Sequence, residues 1–524
     1  MIAIFILLIL VTSPGDTVGR TYLDWQGNGS LGRFVQISPL GGYHFIWQGQ
    51  GGSYNYFYPP NYWLGPTQVN SLSVAGLAQL SDGRAVVSGH HSIGGNYRPA
   101  IAIDAAEGAG SFTIYDLPFP QNPSDPPIWL SVCVDSFDNI YVSGTQSATG
   151  RGWVYIGGQW FDTLGGIALD SMVWSPDRES WTTYNGKIAV INSSDFDLSY
   201  YYWESTDNGS TWRFDTVFNS LSPGDSVIGY IWQSGVYDNN NNLHVVFTCI
   251  DTVGHGSGGS GWRSLIRHWN QGTGQIDLVA SGWYEVTPGP GRNHPTVSEP
   301  QIAINRTTGE LYCTWCQADS DDVAQNGYTN LEIYGAYSND NGITWIEQHD
   351  ITNSHSPGAP PGQCDNDCWQ SIAETTHGDT IYLFYMNDKD AGSSLQGEGN
   401  VTMNPMLFYA YYFSGAIEET LNSQFAIQNP QLQVYPNPFR NTTGIKFQIE
   451  GVASNQKSVV SIQIYNALGR LVRRWNYENT KQGDQIIWLG DDNSGNSVPA
   501  GVYIIKYENE TNKQAVYKKV IKID

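Results

Sequence analysis

The chain has 524 residues, including 58 Gly and 19 Trp, and only 14% of its residues are charged. This composition is typical of short strands joined by tight turns, so we predict an all-β protein. The formal net charge of -24 excludes nucleic acid and anionic membrane surfaces as favoured partners, because like charges repel each other.

The first segment of the chain is an apolar run. Residues 2–11 contain no polar side chain and are followed by Pro14 and Gly15. About ten residues cannot cross a bilayer core of about 30 Å as a helix, so we predict a signal peptide at residues 1–19 and no transmembrane helix. No Lys or Arg precedes the run and no clear A-x-A cleavage site follows it. A buried first strand is the alternative.

Residues 20–421 repeat one two-strand unit, in which an apolar strand and a Gly-, Asn- or Asp-rich turn precede a second apolar strand. The second strands begin at Tyr43, Arg84, Asn139, Lys187, Leu243, Glu310 and Thr380. Spacings of roughly 40 to 70 residues leave room for a four-stranded blade, so the repeat predicts a β-propeller of seven blades. The alternative is a six-bladed ring in which the first copy completes the last blade.

Two octapeptides share the pattern S-x-D-x-G-x-T-W, at residues 205–212 and 338–345. Each Asp can accept backbone N–H bonds inside its turn, each Gly permits a positive φ, and each Trp can cap a blade core. The patterned residues are Ser205, Asp207, Gly209, Thr211, Trp212, Ser338, Asp340, Gly342, Thr344 and Trp345. Here the chain resembles the Asp-box, or sialidase-type, β-propellers, whose boxes lie on outer hairpins away from the active face.

If that resemblance extends to activity, it implies three arginines around a substrate carboxylate, a Tyr/Glu nucleophile pair and an Asp acid/base. Arg33 is the nearest candidate for the first arginine, although the family's R-I-P motif is not present there. Catalytic residues therefore stay unassigned. The aromatic clusters at residues 53–63 and 199–203 can stack on sugar rings or pack in the core.

Three polar residues are candidates for ligand binding. Arg98 and Glu299 each precede a proline at the start of a strand, and His294 lies in the Gly/Pro-rich loop before Glu299. Such positions can face the mouth of a propeller. Ordinary surface ion pairs are the alternative for all three.

The cysteines and acidic loops allow two further kinds of site. Cys364 and Cys368 flank a short turn, so a local disulfide is possible in an exported protein. Cys313 and Cys316 are three apart in a strand and point to opposite faces, so no metal site is assigned to them. Ca²⁺ is possible at acidic loops, which can also simply be solvated; these are Asp319, Asp321 and Asp322, and Asp388 and Asp390. No nucleotide or cofactor motif is present, so no other cofactor is expected.

The C-terminal part differs from the body in charge. Residues 1–429 carry 13 Lys and Arg against 41 Asp and Glu, whereas residues 430–524 carry 12 against 8. We therefore place a linker at residues 422–433 and a separate immunoglobulin-like β-sandwich at residues 434–524. The sandwich resembles the C-terminal sorting domains of the type IX (Por) secretion system and the related domain of the flagellar hook-capping protein. The main carrying residues are Tyr435, Pro436, Asn437, Pro438, Gly501 and Tyr503.

Together these features predict a secreted or cell-surface β-propeller that binds a ligand, such as a glycan or another envelope component. The resemblance of the tail implies that the secretion machinery is a partner and that this domain serves export and attachment. A sialidase-like glycoside hydrolase is the alternative function.

Overall fold

The computed structural model describes residues 12–27, 32–49, 51–60, 62–69, 72–119, 125–170, 172–175, 178–194, 196–220, 227–251, 260–413, 432–435, 439–447, 459–466, 470–478, 485–509 and 515–523. The chain forms two compact units, Met1–Gly415 and Ala416–Asp524. Apart from one 3-10 turn at Ser394–Gln396, the regular structure in these ranges is β-strand. The described part of the chain contains no helix with the length and apolar character needed to cross a membrane.

Within the described ranges, the first unit contains seven sheets of four or five antiparallel strands. Strand β1 (Asp16–Thr21) belongs to the last of them. Blades 1 to 3 are β2 (Val35–Ile37), β3 (Tyr43–Gln48), β4 (Gly52–Tyr58), β5 (Tyr62–Trp63) and β6 (Thr67–Gln68); β7 (Ser73–Gln79), β8 (Ala85–Ile93), β9 (Asn96–Asp104) and β10 (Phe112–Asp116); and β11 (Pro127–Val134), β12 (Ile140–Gln146), β13 (Gly152–Ile156) and β14 (Gln159–Phe161). A two-stranded ladder, β15 (Thr163–Leu164) and β16 (Ile167–Ala168), follows.

Blades 4 to 7 repeat the same order of strands. They are β17 (Ser180–Tyr184), β18 (Lys187–Ser193), β19 (Tyr200–Ser205) and β20 (Arg213–Phe218); β21 (Val227–Tyr237), β22 (Leu243–Asp251), β23 (Ser264–Asn270) and β24 (Ile276–Gly282); β25 (Val297–Ile304), β26 (Leu311–Val323), β27 (Thr329–Ser338) and β28 (Ile346–Asp350); and β29 (Asn366–Ile372), β30 (Thr380–Asp388), β31 (Asn404–Tyr412) and β1. The predicted second strands are β3, β8, β12, β18, β22, β26 and β30, so each occupies the second place in its own blade.

The ring closes by pairing the first strand that the structure describes with the last strand of the propeller. β1 runs antiparallel to β31, with Asp16 opposite Phe408 and Thr21 opposite Asn404. The inner strands of successive blades are neighbours, and β29 lies against β2. The prediction of seven blades is therefore confirmed, and it is β1, not the first repeat, that completes the last blade. β1 begins at Asp16, so the predicted signal-peptide boundary at residue 19 falls inside this strand.

Both octapeptides form the turn between the third and fourth strands of their blades, with matching hydrogen bonds. Asp207 Oδ1 accepts from the Thr211 backbone N–H at 2.8 Å, and Asp207 Oδ2 accepts from Thr211 Oγ1 at 2.6 Å. The equivalent distances at Asp340 are 2.9 and 2.6 Å. Gly209 and Gly342 have φ of 79° and 85°, a region that favours glycine. The sequence prediction of their local geometry is confirmed.

The second unit is a β-sandwich. One sheet orders β32 (Leu432–Tyr435), β33 (Thr443–Phe447) and β36 (Gln485–Trp488), and the other orders β35 (Leu471–Glu478), β34 (Val459–Asn466), β37 (Gly501–Asn509) and β38 (Ala515–Lys522). Both sheets contribute to one core, which contains Ile445, Trp488, Ile464 and Tyr503. Tyr503 Oη donates to the Pro499 carbonyl at 2.6 Å. Tyr435 ends β32, whereas Pro436, Asn437 and Pro438, and the predicted linker up to residue 431, lie outside the described residues.

The cysteines correct one expectation. All six are buried free thiols, so the local bridge between Cys364 and Cys368 is not formed. Cys313 and Cys316 lie in different core clusters, as their spacing in a strand predicts.

Candidate ligand-binding mouth of the propeller

One end of the ring is distinguished by irregular inner strands. β7, β11, β21, β25 and β29 each contain a register shift in their first half. In three of these bulges a non-glycine residue has a φ of 53°, namely Trp129, Glu299 and Trp369. Bulges re-aim side chains, and strained backbone of this kind clusters at functional sites. We call this end of the ring the mouth.

Six ring-bearing side chains form a continuous row along the mouth. The aromatic row contains Trp262, Tyr230, Trp232, His294, Trp369 and Trp25, and its successive ring centroids are 5.9, 5.4, 4.8, 5.7 and 5.5 Å apart. Its central members are buried, whereas Trp262, Tyr230 and Trp25 are half-buried. The row joins blades 5, 6 and 7 to the segment before β2, so its ends present aromatic surface on a fixed support.

A further aromatic pair lies in the loop between β24 and β25, which also carries His294. Trp283 and Tyr284 are 40% and 41% exposed. The Tyr284 backbone carbonyl accepts from Thr296 Oγ1 at 2.9 Å, which ties this pair to the start of β25. Exposed aromatic side chains on a tethered loop are suited to contacting a ligand.

Buried polar side chains lie beneath the row. His294 Nε2 is 3.2 Å from Glu299 Oε1, and Cys316 Sγ donates to Glu299 Oε2 at 3.2 Å. Arg292 Nη1 donates to Cys368 Sγ at 2.8 Å, and its Nη2 contacts the Asp388 carboxylate. We call these residues the buried polar set: Arg292, His294, Glu299, Cys316, Cys368 and Asp388.

The pKa shifts of the Cys316 and Cys368 thiols indicate a structural role rather than chemical reactivity. Burial, followed by the neighbouring Glu299 carboxylate, raises the pKa of Cys316 well above its usual value. Burial also raises the pKa of Cys368 to about 12, although Arg292 opposes the shift. The thiolate is the nucleophilic form, so both groups stay protonated and unreactive near neutral pH.

The three predicted ligand-binding residues separate into two places. His294 and Glu299 are brought together in the buried polar set. Arg98 lies on β9 in blade 2, where its guanidinium carbon is 5.3 Å from the centre of the Phe119 ring. Its ladder partner His91 pairs with Asp116 at 2.7 Å. Arg98 and Glu299, which both precede a proline, therefore lie in different blades, namely blades 2 and 6.

Arg33 has a structural position that corrects its interpretation as a substrate-binding arginine. The inner strands enclose a cavity of about 210 Å³ whose lining includes Arg33, Cys133 and Glu374. The Arg33 guanidinium donates to the carbonyls of Ile372, Gly235 and Ile302 at 2.9, 3.2 and 2.9 Å. Burial lowers the pKa of Arg33, and Glu374 opposes the shift. The side chain ties three blades together and is not available to a ligand carboxylate.

Sequence reasoning missed most of the buried polar set and the row. Arg292 stands in the same Gly/Pro-rich loop as His294, so the loop composition could have suggested it. Trp232, Trp369, Cys316 and Cys368 stand in apolar strands and resemble ordinary core residues. Only the ring of blades brings them together.

The architecture defines the protein as a seven-bladed β-propeller followed by a β-sandwich. Residues 433–523 match the family described as secretion system C-terminal sorting domain. The match indicates a protein that is handled by type IX secretion machinery and is secreted or held at the outer cell surface. No curated protein matches the chain.

Several solved structures align with the chain at low identity and with TM-scores below 0.5. PorZ, a surface component of the type IX secretion system of Porphyromonas gingivalis, has 13% identity and a TM-score of 0.35; the alignment covers 96% of this chain but only 61% of PorZ. An ulvan lyase of polysaccharide lyase family PL25 has 11% identity and a TM-score of 0.47, covering 76% of this chain and 96% of the lyase. An endo-arabinase from Bacteroides thetaiotaomicron has 14% identity and a TM-score of 0.30, covering 57% of this chain and 98% of the arabinase.

Proposed function

We propose that the protein is an exported propeller that binds a carbohydrate at its mouth, while the sandwich directs export and attachment. The observation that carries this proposal is the aromatic surface at one end of the ring: the exposed pair Trp283 and Tyr284, and the half-buried ends of the aromatic row. It is supported from below by the buried polar set.

The chemistry of sugars fits this surface. Pyranose rings have apolar faces that stack on Trp and Tyr, while their hydroxyl groups need polar partners at the edges of the platform. Tyr230 Oη donates to the Asn293 carbonyl at 3.0 Å, which holds one end of the row against the loop that carries His294. A preorganised platform of this kind lowers the entropic cost of binding.

Binding is favoured over hydrolysis by the burial of the acidic and basic groups. His294 and Glu299 are 0% and 1% exposed, so a substrate cannot reach them in this conformation. Arg33, Arg98 and Arg292 contact different partners: three carbonyls, the Phe119 ring, and the Cys368 and Asp388 side chains. The two octapeptides support an Asp-box type of propeller, and their position on outer hairpins gives them no part in a reaction.

A glycan array with purified full-length protein tests the binding proposal. We expect Trp283→Ala and Tyr284→Ala each to weaken binding by about fivefold, because a stacking contact contributes on the order of 1 kcal/mol. The matched control is Phe137→Ala, since Phe137 is 68% exposed but lies in the turn between β11 and β12, at the opposite end of the ring. Equal losses in all three variants, or no binding by the wild type, would contradict a site at the mouth.

The sialidase-like alternative has its own measurement. Hydrolysis of a fluorogenic sialoside by the wild type, abolished in Glu299→Gln, would replace the binding proposal with an enzymatic one. We expect no hydrolysis of this substrate or of a broad panel of glycosides.

The role of the sandwich is tested separately by deleting residues 430–524. We expect the shortened protein to accumulate inside the cell with an intact propeller, because the two units have separate cores. Unchanged secretion and surface attachment would show that the sandwich does not act as a sorting domain in this protein.

A further inference from the structure

A pocket of carboxylates lies in blade 6, between the end of β26, β27 and the loop that follows β28. Asp322 and Glu332 are both buried, and His355 stands at the exposed rim. One ligand atom from each of these three side chains lies within 4.8 Å of the others. We call these residues, with Asn330, the carboxylate pocket.

The pocket contains more acidic than basic side chains. Asp319 Oδ2 is 3.6 Å from His355 Nε2, and Asp367 shares the hydroxyl of Ser354 with Glu332, at 2.9 and 3.1 Å. In the part of the chain that the structure describes, no Lys or Arg forms an ion pair with Asp322, Glu332 or Asp367. Lys389 is instead 2.6 Å from Asp365. A buried carboxylate without a cationic partner is costly in its charged form, and a bound cation would remove that cost.

Asn330 provides an independent sign of a missing partner. Its side chain is 1% exposed, and its Nδ2 donates to Asp322 Oδ1 at 2.9 Å and to Ser356 Oγ at 3.1 Å. Its Oδ1 is buried and has no hydrogen-bond partner. The amide group therefore borders Asp322 and leaves a buried, unsatisfied oxygen beside the pocket, which a cation would satisfy.

We propose that the carboxylate pocket binds Ca²⁺ through Asp322, Glu332 and Asn330 Oδ1, with His355 at the rim. Ca²⁺ takes six to eight oxygen ligands, including carboxylates, amide carbonyls and water, and it tolerates irregular geometry. Of the first acidic segment expected from the sequence, residues 319–322, the pocket uses Asp322 as a ligand. Its other oxygen ligands, from Asn330 and Glu332, lie on β27. The second expected loop is otherwise engaged, because Asp388 contacts Arg292 and Asp390 accepts from Asn400.

The bound ion would fix two irregular segments to the sheet. Asp322 lies in the part of β26 where its register with β27 shifts, and the loop after β28 reaches the same place through the Ser356 N–H, 3.1 Å from Asp322 Oδ1. Nearby, Tyr284 Oη lies 3.5 Å from the Ala318 carbonyl of β26. The ion would thus stabilise the corner of blade 6 beside the exposed aromatic pair. This inference does not depend on the proposed carbohydrate ligand.

Calorimetric titration of chelator-treated full-length protein with CaCl₂ tests the proposal. We expect one site in the wild type, a rise in Tm on addition of Ca²⁺, and at least a tenfold loss of affinity in both Asp322→Asn and Glu332→Gln. These substitutions preserve side-chain shape while removing a negative charge from a crowded set. Absence of heat and of a Tm shift in the wild type would overturn the proposal.

Asp321→Asn is the matched control, because Asp321 is the exposed neighbour of Asp322 at the end of β26. We expect it to bind Ca²⁺ as the wild type does. Loss of binding in Asp321→Asn, with retention in Glu332→Gln, would move the site to the surface loop and overturn the pocket. Binding of Zn²⁺ without Ca²⁺ would overturn the assignment of an oxygen-preferring ion.

A second measurement needs no variant. Tb³⁺ substitutes for Ca²⁺ at oxygen sites. Tyr284 Oη lies 3.5 Å from the Ala318 carbonyl of β26, and Tyr334 follows Glu332 by two residues on β27. We expect ultraviolet excitation of the wild type to sensitise Tb³⁺ emission, and CaCl₂ to displace it. Emission that does not respond to CaCl₂ would contradict the proposed site.

Discussion

Two segments of the propeller have similar sequences but different structural roles. Residues 98–103 are RPAIAI and residues 299–304 are EPQIAI. The first begins in β9, the third strand of its blade, and leaves Arg98 half-buried over an aromatic ring. The second begins in β25, an inner strand, and places Glu299 in a bulge among buried polar groups. The rank of a strand within its blade, rather than the local sequence, decides what the residue before the proline does.

The largest expected loss of stability that tests this contrast is at Arg292, whose positive charge compensates the buried Asp388 carboxylate beneath the mouth. We expect Arg292→Met to lower the free energy of unfolding by about 3–5 kcal/mol, because it leaves a carboxylate buried without a cation. Arg98→Met in blade 2 is the control, and we expect a loss of no more than about 1 kcal/mol for its partly exposed ring contact. Urea denaturation followed by tryptophan fluorescence measures both.

A double variant separates charge from packing at the same place. Arg292→Met combined with Asp388→Asn removes both members of the pair, so it should recover part of the stability that Arg292→Met loses. Equal stability of Arg292→Met and Arg98→Met would break the comparison between the two regions.

The next largest loss of stability is expected at one of two tryptophans that occupy equivalent bulges. Trp369 and Trp129 have the same φ of 53°, but Trp369 is buried within the aromatic row and Trp129 is only half-buried. We expect Trp369→Ala to cost about 3–5 kcal/mol, because it opens a large cavity between blades, and Trp129→Ala to cost clearly less. Denaturation midpoints of the two variants measure the difference. A larger loss at Trp129 would mean that blades 2 and 3 support the mouth more than blades 6 and 7 do.

Acid should destabilise the blade 2 region. Burial, followed by the neighbouring His91, lowers the pKa of His90 to about 4. The unfolded chain takes up this proton near pH 6.5, so the stabilisation is complete above that pH and is lost as pH falls toward 4. The maximum loss is about 3 kcal/mol. Unfolding free energies at pH 7 and pH 4.5 should differ less in His90→Gln than in the wild type; an identical difference in both proteins would exclude His90 as the cause.

Much of the fold follows from local pattern. Each predicted second strand follows a tight turn and pairs with strands that are its neighbours in sequence. Each octapeptide contains, within eight residues, both the donors and the acceptors of its own turn. Local pairing of this kind is readable from sequence because little of it depends on distant contacts. The closing strand β1 was not identified, because its partner β31 lies at the other end of the propeller.

The mouth was predictable only in part, and for the same reason. His294 and Glu299 could be selected because a polar residue beside Gly or Pro is unusual at the start of an apolar strand. Trp369 could not, since its meaning depends on Trp25 and His294, which belong to other parts of the ring. Arg33 was selected as a substrate-binding arginine only for its early place in the sequence, whereas in the structure it donates to three blades across the central cavity.

The pairing of β1 with β31 also sets an order of events during synthesis. Asp16 pairs with Phe408, so a ribosome must translate nearly the whole propeller before the seventh blade can acquire its fourth strand. Until then the unfinished ring exposes an unpaired edge, which chaperones and proteases recognise. A chain cut short before residue 404 remains an open arc, and any cleavage that removed residues 16–21 would leave the propeller in the same condition.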